Sequence, residues 1–247
     1  MQIRLNGLVQ TGSYHTPVIV LEGFHVVKHA LRFGAELDSF ITTSRASMMG
    51  LAASHAPDLL EQFEAAREVS GEEFVRLVGK KHPTGVAGFT RKPDVDVSGL
   101  LAGRTSPLVL LDNPRNLGNL GAVIRVAAGL GAGGVVSVGD VDPWHPNVLR
   151  GSAGLHFALP VGRVDGVGGV RGPVFALDAD GEDIGGVRIP GDAVLAFGSE
   201  RHGLSGAVRE RADRLVSLPM RPLVSSYNLT TSVAMALYHW ELFQRAS

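Results

Sequence analysis

Three short stretches carry side chains placed for chemistry. "DNPRNLGNLGAVIR" follows an apolar run and holds Gly118, Asn119, Gly121 and Arg125. "GSERHGLS" holds one carboxylate, Glu200, between Gly198 and Gly203. "MRPLVSSYNLTTS" gathers Ser225, Ser226, Asn228, Thr230 and Thr231 ahead of a long helical pattern. In the first stretch, glycines let the chain turn sharply and leave amide N–H groups open to an anion. An arginine one helical turn past Gly121 can reach back to a phosphate or a ribose oxygen. A snorkelling arginine, with the glycines kept for close packing, fits the same spacing. Glu200 reads either as an acceptor for an arginine or asparagine of a site or as a carboxylate at a helix N-terminus. The hydroxyls and amides of the third stretch exceed what helix capping requires, which favours a polar ligand site; a Ser/Thr-rich helix start is the alternative.

Each stretch follows a short, nearly continuous apolar run. "LVLLD", "GVVSVG", "PVFALDA", "AVLAFG" and "RLVSLP" are expected to be strands buried on both faces of a parallel sheet. Between them lie the helical patterns "LGAVIRVAAGLG", "PNVLRGSAGLHF" and "SGAVRERAD", and "LTTSVAMALYHWELFQRA" closes the chain. Alternation of this kind predicts an α/β layer architecture. Ligands of open parallel sheets bind beyond the carboxyl ends of the strands, where all three stretches fall.

Residues 1–92 read as a separate, smaller α/β unit with helices at "FHVVKHALRFG", "SHAPDLLEQFEAA" and "SGEEFVRLVGKK". The last opens with Ser70 and Glu73 at capping-box spacing. Residues 93–106, with their prolines and glycines and no sustained period, are expected to be a linker, leaving 107–247 as the larger domain.

Two patterns mislead. "GLGAGG" satisfies the dinucleotide fingerprint at Gly129, Gly131 and Gly134, but it ends a helix and precedes a strand, the reverse of the context that fingerprint needs. It reads as a helix stop. His25 and His29 have metal-compatible i, i+4 spacing, yet no partner stands at motif spacing, so a partly exposed helix face is expected and no metal.

Composition narrows the function class. The absence of cysteine excludes disulfides, Cys-ligated zinc and thiol nucleophiles, and fits a reducing cytoplasm. No G-x-S-x-G, P-loop or H-E-x-x-H motif occurs. No apolar run approaches the roughly 20 residues of a membrane span, and the start "MQIRLNGLVQTGSYH" lacks a secretory pattern, so a soluble protein away from membranes is expected. The net charge of -1 argues against indiscriminate polyanion binding. Residues 93–247 carry thirteen arginines and no lysine, which suits phosphate and ribose contacts, although codon bias accounts for the composition as well.

In order and spacing the three stretches resemble the three motifs of the SpoU/TrmH branch of the SPOUT RNA methyltransferases. "NLGNLGAVIRVAAGLGAGGVVSVG" looks like the first, "LAFGSERHGLS" the second, and "VSLPMRPLVSSYNLTTSVAMALY" the third. "VDPWHPNVLRGSAGLHFALPV" is similar to the segment between the first two, and "VLEGFHVVKHALRFGAELDSFITT" to a small ribosomal-protein-like substrate-binding domain. The resemblance implies a parallel-sheet SPOUT domain with a C-terminal trefoil knot, which no sequence rule predicts. It also implies S-adenosylmethionine (AdoMet) as methyl donor, ribosomal or transfer RNA as acceptor, and a homodimer that completes the active site.

By motif position, Asn119, Arg125, Glu200, Ser226 and Asn228 take the catalytic roles, and Gly198, Leu218, Met220, Tyr227 and Asn228 line the donor pocket. Tyr227 stands where leucine or methionine is usual, and Thr230 with Thr231 replaces a common Ser-Val, which touches the shape of that pocket. The implied reaction is metal-free attack of a ribose 2'-hydroxyl on the sulfonium methyl. The family proposal makes Arg125 the base. Because a guanidinium ordinarily keeps its proton, alignment and alkoxide stabilisation is the favoured role, with base catalysis open. The basic stretch Lys80, Lys81, His82, Arg91 and Lys92 is expected to contact RNA, a solvated helix end being the bland alternative. Competing readings are a SPOUT base methyltransferase and a silent RNA-binding protein of ribosome assembly.

Overall fold

A computed structural model describes residues 17–245. The opening segment read above for a leader lies outside the described residues. The N-terminal part contains β1 (Val18–Glu22), α1 (Phe24–Arg32), β2 (Ser39–Thr42), α2 (Arg45–His55), α3 (Leu60–Glu64), β3 (Arg67–Glu68), α4 (Gly71–Val78) and β4 (Val86–Arg91). Its sheet runs β1-β4-β2-β3, with β4 antiparallel to both neighbours and β2 parallel to β3.

Local chemistry sets the helix ends here. Ser70 Oγ accepts from the Glu73 amide at 3.1 Å, and α4 stops at Gly79, whose φ of +89° is left-handed. The helix expected over "SHAPDLLEQFEAA" is broken. Pro57 forces a tight 3-10 turn after α2, and α3 is a separate short turn of helix. α2 itself escaped the periodicity reading because "RASMMGLAASH" buries only Met48 and Ala52 and has no apolar stripe.

The segment expected to be a linker holds a helix, α5 (Val97–Ala102). Asp96 caps it by accepting from the Gly99 amide at 2.8 Å, and Leu101 is buried. There follow β5 (Leu108–Asp112), α6 (Leu117–Gly129), β6 (Gly134–Val138), α7 (Pro146–Gly151), β7 (Val161–Val164), β8 (Val174–Asp183), β9 (Val194–Phe197), α8 (Gly206–Arg211), β10 (Arg214–Ser217) and α9 (Leu229–Arg245). They form a six-stranded sheet, β10-β8-β9-β5-β6-β7, in which every pair is parallel. The parallel α/β architecture expected from the apolar runs is present, and β7 adds a strand not anticipated. "VGRV" reads poorly because glycine and arginine interrupt it, yet Gly162 is what lets the Val97 side chain of α5 close on the sheet.

Strand alternation divides the core. Val109, Leu111, Leu195 and Phe197 join one cluster with Leu120, Val123 and Ile124 of α6 and Val233 and Leu237 of α9. Leu108, Leu110, Val194 and Ala196 face the other side, against Leu101 of α5 and Val208 of α8. Burying each such aliphatic side chain is worth about 1.5–3 kcal/mol, so both faces hold the sheet that carries the loops.

α6 and α7 touch backbone to backbone. A Cβ on Gly121 would lie 2.8 Å from Gly151 Cα and closer still to the Val148 carbonyl oxygen. Gly121 thus serves close packing, the alternative the spacing had left open. "GLGAGG" does end α6 and lead into β6, with Gly131 at φ +69°. The first apolar cluster continues into the N-terminal part through Leu21, Phe24 and Val27. Gly154, at φ +81°, sits on the Val26 backbone, and His29 Nδ1 donates to the Ala153 carbonyl at 2.7 Å. Half-buried Glu22 bridges Lys80 at 2.7 Å and Arg150 at 3.1 Å. Among the described residues no helix is long and apolar enough to cross a membrane.

Candidate active site

A cleft of about 480 Å³ opens beyond the carboxyl ends of β8, β9 and β10. Leu177, Phe197, Leu218 and Met220 give it apolar surface, and Ser199, Glu200, Ser225, Ser226 and Asn228 give it polar groups. Tyr227, Gly198 and Gly203 complete the wall. The volume lies in the range of small-molecule sites, and the lining mixes apolar and polar groups.

The loop after β9 is a tight hairpin. Ser199 and Gly203 exchange backbone hydrogen bonds at 2.9 and 3.0 Å, so Glu200 is raised at the tip. Gly198 permits this turn, since any Cβ would collide with the Gly203 carbonyl carbon and the Leu204 nitrogen. α8 starts later, capped by Ser205, so Glu200 is not a helix N-terminal carboxylate. The hairpin is tied to the neighbouring strand by Asp112, whose Oδ2 accepts from the Ser205 amide at 2.6 Å. Asp112 is buried at the end of β5, and sequence reasoning passed over it. A carboxylate closing the apolar run "LVLLD" was the available signal, because a buried carboxylate must find a donor.

Asn119, on the first turn of α6, joins the loops. Its Nδ2 donates to Glu200 Oε1 at 2.7 Å, and its Oδ1 accepts from Asn228 Nδ2 at 3.3 Å. Thr230 Oγ donates to the Asn119 carbonyl at 3.4 Å, while the Thr230 amide donates to Asn228 Oδ1 at 2.8 Å. Both oxygens and both nitrogens of the two amides are thereby oriented. Tyr227 OH donates to the Pro219 carbonyl at 2.9 Å, closing the loop that carries Ser225 and Ser226. The two serine hydroxyls have no partner among the described residues and face the cleft.

Arg125 stands apart. It is exposed, makes no hydrogen bond or ion pair among the described residues, and does not line the cleft. Its charge acts instead on His25 and Lys28 of α1. Thus one chain gathers Asn119, Glu200 and Asn228, adds Ser226 at the rim, and leaves Arg125 on another face of α6. Three further lining residues, Leu177, Asp178 and Ala179, come from β8 and had no motif to mark them. His25 and His29 do not converge: His29 is bonded to Ala153 and the His25 ring lies 5.9 Å from that of His55. Among the described residues no group of three or more His, Asp or Glu is set to hold a metal ion.

Residues 106–238, which contain this cleft and all three loops, match the SpoU rRNA Methylase family. The chain belongs to that family. A 23S rRNA (adenosine(1067)-2'-O)-methyltransferase of Streptomyces azureus is 35% identical over 163 residues, 61% of this chain and 60% of the relative. A 23S rRNA (uridine(2479)-2'-O)-methyltransferase of Streptomyces viridochromogenes is 31% identical over 199 residues, 74% of this chain and 69% of the relative. The SpoU methyltransferase AviRb from Streptomyces viridochromogenes, solved in complex with AdoMet, shares the fold with a TM-score of 0.76 at 24% identity, covering 93% of this chain and 92% of that one. At that coverage the AviRb structure aligns with the cleft-bearing sheet and reaches into the N-terminal part.

Proposed function

We propose that this chain transfers the methyl group of AdoMet to a ribose 2'-hydroxyl of ribosomal RNA. The observation that carries the reading is the hydrogen-bonded set Asn119, Glu200 and Asn228 at the mouth of the cleft in a member of the SpoU family. The cleft suits the donor chemically. Leu218, Met220 and Leu177 offer apolar surface for an adenine, Gly198 and Tyr227 shape the wall, and the Glu200 carboxylate opposes a positive charge.

When bound, the sulfonium supplies an electrophilic methyl group. The ribose O2'–CH3 bond forms as the S–CH3 bond breaks, and the hydroxyl proton leaves to water or an RNA phosphate. Arg125 stabilises the oxygen as that proton departs, and its planar fork holds the ribose in line. Asn119 and Asn228 fix the rim through paired amides, and Ser226 offers a hydroxyl to the ligands. Glu200 holds Asn119 rather than taking the proton itself. Arg125 serves alignment and alkoxide stabilisation, and no metal enters the step.

Several wider assignments belong to the same reading. Residues 1–92 select RNA, 93–106 connect, and 107–247 carry transfer. The chain runs from edge strand β10 back past the strand ends to α9, which packs on α6, a path that supports a C-terminal trefoil knot. Tyr238 and Leu242, one turn apart on α9, are exposed, as are Leu223 and Val224, which supports a homodimer through this face. Arg125 is absent from the cleft of its own chain, which supports a site completed by a second copy.

The test is transfer of labelled methyl from AdoMet to ribosomal and transfer RNA fractions, taken from a strain lacking the gene and digested to nucleosides. Label in a 2'-O-methylnucleoside of ribosomal RNA is the expected result. Label in a base, in transfer RNA alone, or in no fraction overturns it.

A further inference from the structure

We propose that His25 and Lys28 of α1, His55 at the end of α2 and Arg125 of α6 form one phosphate-binding patch that seats the RNA backbone beside the reacting ribose. This rests on the reading of the chain as an RNA methyltransferase and names residues of the N-terminal part that its motifs do not reach.

The four side chains come from different elements, yet the fold fixes their relation. α1 is pinned by the Gly154 approach to Val26 and by the hydrogen bond from His29 to Ala153. The short turn Leu155–Phe157 packs on both α1 and α6. His25, His55 and Arg125 are exposed, Lys28 is half-buried, and the two imidazole rings are 5.9 Å apart.

What marks the patch is missing countercharge. None of the four makes an ion pair among the described residues. Asp58, the carboxylate that acts on Lys28, is already held by Arg32 through contacts of 2.9 and 2.5 Å. Burial, then Lys28, His55 and Arg125, hold the His25 imidazole below its ordinary range; burial, Arg32 and Arg125 do the same to Lys28. Like charges kept close without an anion are relieved by a bound phosphate.

In the basic stretch expected to contact RNA, three of the cations already stand beside carboxylates. Lys80 pairs with Glu22 at 2.7 Å, Arg91 with Asp38 at 3.6 Å and Lys92 with Asp142 at 3.6 Å. His82 lies against Gly23 and bonds Thr84 at 3.0 Å. Of that stretch Lys81 alone has no ion pair or hydrogen bond among the described residues.

The experiment measures binding of deproteinised large-subunit ribosomal RNA across a salt series, with AdoMet affinity measured on the same samples. His25→Ala and Lys28→Gln are compared with Arg67→Gln, which removes a charge from β3. For Lys28→Gln we expect RNA affinity to fall about tenfold and the salt slope to become shallower by about 1, with AdoMet affinity within about twofold. His25→Ala should weaken RNA about threefold, and Arg67→Gln should change neither. Unchanged RNA affinity and slope in both α1 variants, with methyl transfer intact, overturn the patch and spare the enzymatic reading. Loss of slope in an enzyme that methylates no RNA keeps the patch and overturns that reading. Parent protein that binds no RNA overturns both, and AdoMet binding lost in parallel shows a folding defect and overturns a phosphate role.

Discussion

Asn119 Nδ2 meets Glu200 Oε1 at 2.7 Å, a contact across 81 residues that locks the first turn of α6 to the hairpin after β9. The same amide accepts from Asn228, so its orientation is fixed from two sides. Asn119→Asp replaces the donor with a second carboxylate facing Glu200. We expect transfer to fall about 100-fold, further than for Asn119→Ala, with part of the loss recovered when Glu200→Gln is combined with Asn119→Asp. Single-turnover rates on RNA check this; equal loss in the alanine and aspartate variants would refute the repulsion.

Arg125→Ala is expected to reduce methyl transfer by at least about 10³-fold and leave AdoMet affinity within a few fold, because Arg125 does not line the cleft. Arg125→Lys keeps charge and loses the fork, and should recover little. Full activity in the lysine variant would make alignment by the guanidinium plane irrelevant.

Gly121→Ala should destabilise the fold by about 2–3 kcal/mol, read from denaturant unfolding, since the new Cβ meets the α7 backbone rather than a movable side chain. Gly118 has only Asn116 Oδ1 nearby at 3.2 Å, so Gly118→Ala should be close to neutral. A reversed order would show that α6 and α7 separate freely.

His156 gives the fold an acid limb. Burial holds its imidazole at about 4, below the ordinary 6.5, opposed in part by the Pro143 carbonyl and Asp142. Because the Pro143 carbonyl only accepts, at 2.8 Å, Nε2 carries the proton, and Nδ1 takes the Ser152 hydroxyl at 2.7 Å. The folded value lies below the unfolded one, so the unfolded chain binds the proton first. Stability is full above 6.5 and is lost as pH falls toward 4, by an amount on the order of 3 kcal/mol. Urea unfolding across that window should show the loss, and His156→Gln should flatten it.

Glu22→Gln removes the charge shared by Lys80 and Arg150 where the N-terminal sheet meets α7. A loss of about 1–2 kcal/mol is expected, discounted for the exposure of both cations. An unchanged melting temperature would show that the Glu22 bridge adds nothing to the contact between the two parts.

Five strands of the six-stranded sheet, β5, β6, β8, β9 and β10, were legible because each contains a short apolar run of the kind a parallel sheet buries. The helix at 70–78 was legible from its cap. β7 and α5 were not, because "VGRV" and "VSGLLA" are too short and too glycine-interrupted to show a period; β7 is held by pairing with β6, and α5 by Leu101 in the core and Val97 against Gly162. The proline at 57 split a helix whose periodicity ran through it.

At the site, Glu200 and Asn228 stood out in the sequence as polar groups in loops that follow buried strands, and the resemblance to the family's motifs added Asn119. Sequence also determined the glycines, the absence of thiol chemistry and the position of Arg125 one turn past Gly121. Only the tertiary structure decided that Glu200 bonds Asn119, that Asp112 braces the hairpin, and that Arg125 faces α1 rather than the cleft. It also decided that Lys80, Arg91 and Lys92 stand in ion pairs with Glu22, Asp38 and Asp142, while His25, Lys28 and Arg125 make none among the described residues. The reason is physical: spacing along a chain sets which face of an element a side chain occupies, but which charges and donors meet across that face depends on packing between elements far apart in sequence.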